Sequence, residues 1–109
     1  MITDLDVAKK LLRIAQSANN RGIDFDMSFA KVKKLMNAKK CFFTGVELEK
    51  EDDGAPNYIT FDRVDADGGY TDNNVVACSS TFNKKKKDLS IIDIKIMYEK
   101  CVKLGVIKK

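Results

Sequence analysis

Residues 60–87, TFDRVDADGGYTDNNVVACSSTFNKKKK, hold the change of pattern on which the fold turns. Just before and into this stretch, YITFDRV (58–64) alternates: Ile59 and Phe61, with Val64 following, can face a core while Thr60 and Asp62 face away. That period of two is the mark of a half-buried strand. DADGG then reads as a turn, VVAC (75–78) as a second short extended piece, and SSTFNKKKKDL as the start of a helix carrying Asn83 and the lysine run. Oxygen-bearing side chains gather here, with Asp62, Asn74 and Asn83 placed around a lone arginine, Arg63.

Working outward, Thr3 followed by Asp6 reads as a capping box, and Leu5, Ala8, Leu11, Leu12 and Ala15 recur at helical spacing. A first helix is expected from about Asp4 to Asn19, closed by Asn19, Asn20 and Gly22. Ser28 caps a second helix with Phe29, Val32, Leu35 and Met36 on one stripe and Lys31, Lys33, Lys34, Lys39 and Lys40 elsewhere. CFFTGVEL reads as a tight turn between extended pieces, and EKEDDGAPN is the most polar loop. Ser90 with Asp93 caps a last helix whose Ile91, Ile94, Met97, Cys101 and Leu104 share a face, with Gly105 at its end. The order is two helices, a turn, two short strands and two helices, an α+β fold with a small sheet.

At 109 residues, with 33% charged and 44% apolar side chains, the chain fits one globular domain with a modest core. MITDLDVAKKLL places acids ahead of any apolar run, so neither a signal peptide nor a membrane span is expected, and the protein is read as cytoplasmic. Cys41, Cys78 and Cys101 are odd in number and far apart, which argues against a disulfide framework and for small buried apolar residues. The net charge of +4 is uneven: between Cys41 and Asp72 nine acids face Lys50 and Arg63, giving −7, so the remainder carries +11. A basic frame around an acidic centre suits a protein that holds a polyanion and a cation; a solvated, unevenly charged surface is the plainer alternative.

CFFTG, TFDRVD, GGYTDNNVV and FNKKKKDLS, in this order and at these spacings, resemble the HNH (His-Me finger) endonuclease-like family, in a zinc-less variant common in phage proteins. The resemblance covers roughly residues 41–90. It implies a ββα-metal core with a short two-stranded hairpin, flanked by N-terminal and C-terminal helices. The whole is then a single HNH-like domain over 1–109, with a helical part over 1–40, the core over 41–90 and a C-terminal helix over 91–109. By that resemblance Asp62 falls on the metal-ligand aspartate, Arg63 on the general-base histidine, Asn74 on the loop asparagine and Asn83 on the second metal ligand. One carboxylate and one amide oxygen suit Mg²⁺ or Mn²⁺ and leave room for water and a phosphate.

Two departures shape the functional expectation. Relatives with a zinc knuckle use two C-x-x-C pairs, but here the equivalents are Cys41 with Thr44, and Ser79 with Phe82, so no zinc is expected and Phe42, Phe43, Cys78 and Phe82 should pack in its place. Arg63 stays protonated and cannot act as a general base, a loss of ~10²–10⁴-fold in rate. It can clamp a phosphate, or brace the turn against Asp65 or Asp67. Lys84 and Lys87, three apart on a helix, are the lysines expected to touch phosphate together; a solvated cluster is the alternative. The expected protein binds DNA and either nicks it weakly with a divalent metal or holds it without cutting. The other class of reading is a repurposed phage protein that modulates a host protein, with the acidic block Glu47–Asp53 as its contact surface.

Overall fold

Thr3 opens the first helix in the computed structural model, which describes residues 1–87 and 89–108. The Thr3 hydroxyl accepts from the Asp6 N–H (3.2 Å) and the Asp6 carboxylate accepts from the Thr3 N–H (2.9 Å), so two of the unpaired donors at the helix end are satisfied. Helix α1 (Asp4–Asn20) buries Val7, Ile14 and Ala18, with Leu11 partly covered between them. The stripe anticipated through Leu5 and Leu12 is its neighbour: these two leucines are 63% and 58% exposed. Both stripes have helical spacing, and packing against the rest of the chain selects one.

Strand β1 (Phe25–Asp26) leads into α2 (Phe29–Met36), where Ser28 accepts from the Lys31 N–H and Val32 and Leu35 are buried. After an irregular stretch come β2 (Ile59–Arg63), β3 (Tyr70–Thr71), β4 (Val75–Ser79), α3 (Ser80–Lys86) and α4 (Ile91–Lys103). Strands β2 and β4 are antiparallel, with Ile59 opposite Ser79 and Arg63 opposite Val75. The sequence reading contained no counterpart of the second sheet, in which β1 and β3 pair in parallel through Phe25–Tyr70 and Asp26–Thr71. Two-residue strands leave no periodicity to detect. The architecture is mixed α+β, with four helices and two small sheets among the described residues.

The core joins Val7 and Ile14 of α1, Met27, Val32 and Leu35 around α2, and Val75 and Ala77 of β4, with Ile59, Phe61 and Tyr70 packed against it. Fully buried valines such as Val7 and Val32 each contribute about 1.5–3 kcal/mol. Ser90 and Asp93 form the capping box anticipated for α4, but the helix has no buried residue: Ile91, Met97 and Leu104 are 44%, 55% and 65% exposed. Its apolar face is real in sequence and mostly exposed in the fold, with Ile94 and Cys101 partly covered.

Candidate functional site

The turn between β2 and β4 is built around Asn74. Its Oδ1 accepts from the Asp65 N–H (2.9 Å), and its Nδ2 donates to the carbonyls of Asp65 (3.0 Å) and Gly69 (2.9 Å). Such a clasp needs space on both sides. A Cβ at Gly68 would lie 2.8 Å from Asn74 Nδ2, and one at Gly69 would lie 2.8 Å from the Asp24 carbonyl oxygen, which accepts from the Tyr70 N–H. The DADGG turn thus sets the clasp and the β1–β3 pairing together.

Arg63 belongs to this clasp. Its Nη1 donates to the Gly68 carbonyl at 2.7 Å, and its guanidinium lies 5.2 Å from the centroid of the Tyr70 ring. The brace expected through Asp65 or Asp67 is made instead to a backbone carbonyl two residues further on than Ala66. Asp65 is used otherwise, its side chain accepting from the Asp67 N–H. One Arg63 nitrogen is thus spent on the turn.

Helix α3 lies across the other side of β2, and its side chains stitch the two elements together. Asn83 Nδ2 donates to Thr60 Oγ1 (3.1 Å), and Thr60 Oγ1 donates to the Cys78 carbonyl (3.1 Å). One turn further on, Lys86 Nζ donates to the Arg63 carbonyl (3.0 Å) and lies 3.0 Å from Asp62 Oδ2. The Lys86 side chain is wholly buried and that of Asp62 is 14% exposed; the Phe43 ring closes the space, 5.8 Å from the ammonium to its centroid. Asp62 Oδ2 accepts no directed hydrogen bond, so the Asp62–Lys86 contact is a close ion pair formed off the hydrogen-bonding angle. Burial makes this pair costly to break from either side.

The residues read from sequence therefore divide. Asp62 and Asn83 do face the same helix–strand interface, but Asp62 is engaged by Lys86 and Asn83 by Thr60. A divalent cation at Asp62 would sit beside an ammonium in a largely water-free space, a repulsion on the order of several kcal/mol. The arrangement does not fit Mg²⁺ or Mn²⁺ as it stands. Among the described residues no three carboxylates or thiols come together as a ligand set. Lys84 is exposed on α3, whereas Lys87 is its cap residue with φ of 47°, so the two are not successive positions on one helix face. Asp88, part of FNKKKKDLS, lies outside the described residues. Sequence reasoning missed Lys86, although its three-residue spacing from Asn83 was the available signal.

Around the knuckle positions, Phe43 stacks on Phe82 (4.9 Å between centroids) and meets Phe42 edge-on (5.1 Å), while Cys41 and Cys78 are buried. Burial raises the Cys41 thiol, but hydrogen bonds from the Thr44 hydroxyl and from the N–H groups of Ser79, Thr44 and Phe43 outweigh it and hold the thiol at about 7. Cys78 is pushed up to about 11, chiefly by burial.

Comparison with known proteins adds one relative. The chain is 24% identical over 88 residues to an uncharacterized 29.0 kDa protein from the dda-modA intergenic region of Enterobacteria phage T4. That match takes in 81% of this chain and 35% of the phage protein, so the chain spans about a third of its relative's length. No protein-family model matches the chain, and neither does any solved structure. No described helix is long and apolar enough to cross a membrane.

Proposed function

We propose that this is a nucleic-acid-binding protein on an HNH-like ββα frame, in which the protein's own lysine has taken the cation's place, so that it holds a phosphate backbone without cutting it. The observation that carries this reading is the buried Lys86 ammonium against Asp62. Hydrolysis on such a frame needs a cation at the aspartate and a base beside it; here the first position holds an ammonium and the second a guanidinium committed to Gly68. Binding needs neither. Lys84, Lys85 and Lys87 are exposed around α3, and the chain outside residues 41–72 carries +11. The phage relative is consistent with a phage-type protein and says nothing of activity.

Incubation with supercoiled plasmid in Mg²⁺, Mn²⁺ or EDTA, followed by gel shift on the same DNA, tests the reading. The expected outcome is a shift that persists in EDTA, weakens steeply with salt as counterions are released, and brings no nicking. Metal-dependent nicking abolished by Asp62→Ala would overturn it. A second reading, a phage protein that modulates a host protein, is favoured by α4, where Ile92, Ile96 and Met97 are all more than half exposed. No shift at low salt, together with salt-independent retention of one host protein, would favour that reading instead.

A further inference from the structure

The side of β2 away from α3 carries a second arrangement that the HNH-like reading does not use. Between α1 and β2 runs a groove of two adjoining clefts of about 270 and 370 Å³. Both are lined by Lys10 and Arg13 from α1 and by Tyr58, Ile59 and Phe61 from the strand side. The first cleft adds Lys9 and Lys50, the second adds Tyr70. The groove is thus a cationic wall facing an aromatic one.

Its cations outnumber the acids that face them. Four cations, Lys9, Lys10, Arg13 and Lys50, meet a single acid, Asp6, whose carboxylate already serves the α1 capping box. Among the described residues none of the four has a carboxylate within ion-pairing distance, the three pairs present being Lys33–Asp4, Lys86–Asp62 and Lys95–Glu99. Lys10 is partly buried, with its Nζ 4.8 Å from the Phe61 ring centroid. Burial first, and Arg13 second, lower the pKa of Lys10, the sign of a cation held where an anion would relieve it. One cleft lies just below and the other at the lower end of the range for small ligands, about 300–1,000 Å³, a scale closer to one nucleotide unit than to a double helix. In a duplex, moreover, the base faces are stacked inside and cannot reach an aromatic wall. Unpaired bases can, with their phosphates tracking the cations.

We propose that the groove between α1 and β2 binds single-stranded nucleic acid, with Lys9, Lys10 and Arg13 taking phosphates and Tyr58 and Phe61 offering surface to unpaired bases. This rests on the nucleic-acid-binding reading and names its substrate class, but places the contact on the opposite side of β2 from Asp62.

Fluorescence anisotropy with a labelled 12-mer single strand and the matching duplex tests it, using the wild type, the groove variant Lys10→Gln/Arg13→Gln and the α3 variant Lys84→Gln/Lys85→Gln. The single strand should bind about tenfold more tightly than the duplex. The groove variant should lose about tenfold in single-strand affinity, with a shallower salt slope, and the α3 variant, which removes two exposed charges on the other side of β2, clearly less, about threefold. Both pairs change exposed or half-exposed side chains, and circular dichroism checks that the variants remain folded. Photocrosslinking of a 5-iodouracil-substituted single strand to the wild type gives an independent reading, with adducts expected at Tyr58 or Phe61. Duplex binding that depends on Lys84 and Lys85 but not on Lys10 and Arg13, with adducts confined to α3, would overturn the groove and leave the nucleic-acid-binding function standing. Binding of neither probe at low salt would overturn both.

Discussion

Ile59 and Phe61, on one side of β2, pack into an apolar core shared with α1 and α2, whereas Thr60 and Asp62, on the other, are held to α3 by an amide and a buried ammonium. One five-residue strand thus meets two kinds of chemistry. Apolar contacts are non-directional, so the first side can absorb changes of shape at modest cost. On the second side each polar group depends on a particular partner, and losing one leaves the other stranded. Charge divides along the same line: against α3 the Asp62 carboxylate is neutralised by Lys86, whereas among the described residues Lys9, Lys10 and Arg13 on the α1 side have no carboxylate within ion-pairing distance.

The largest effect that can break this comparison is expected at Lys86. Lys86→Ala leaves the Asp62 carboxylate enclosed without its cation and should cost about 3–5 kcal/mol by urea denaturation. Asp62→Leu/Lys86→Met, which removes both charges and keeps the volume, should recover most of that loss. A cost under about 1 kcal/mol for Lys86→Ala would mean that the pair is wet and the two sides of β2 are alike.

A smaller effect sharpens the contrast at the turn. Asn74→Ala removes three hydrogen bonds and should cost about 2–3 kcal/mol, again by urea denaturation. Because the clasp also positions the Gly69–Tyr70 backbone, amide exchange should rise in β1 and β3 ahead of β2 and β4. Uniform exchange throughout would show that the turn is no more than a connection.

The smallest expected effect is a pH dependence from the two buried thiols beside this interface. Cys41, held at about 7, favours the ionised form in the folded state, so its stabilisation grows as pH rises from about 7 toward the ordinary thiol range and is lost as pH falls through 7. Cys78, at about 11, has the opposite sign: its contribution is intact below the ordinary thiol range and fades as pH rises toward 11. Stability should therefore gain on the order of 1 kcal/mol between pH 7 and 9, followed by a decline, with the gain missing in Cys41→Ala when melting temperature is followed against pH.

Much of the local structure was legible in the sequence because its causes are local. The boxes Thr3–Asp6 and Ser90–Asp93 and the Ser28 cap each act over three residues, and the alternation of YITFDRV states its own strand. Phe43 stacks on Phe82, in line with the expectation that Phe42, Phe43, Cys78 and Phe82 pack together. The candidate site was legible only as a set of residues. Asp62 and Asn83 do lie against the same interface, but no local rule assigns Asp62 its partner among four adjacent lysines, or turns Arg63 toward a carbonyl five residues away.

Sequence alone therefore determined the helices, the N-caps of three of them, the main hairpin and the uneven distribution of charge, since each follows from short-range periodicity or from counting. Tertiary structure decided which stripe of α1 is buried, that Phe25–Asp26 pairs with Tyr70–Thr71, that Lys86 rather than Lys84 turns inward, and that α4 has no fully buried residue. These choices depend on which surfaces meet across long stretches of chain, where burial and unpaired charge outweigh any preference that neighbouring residues can express.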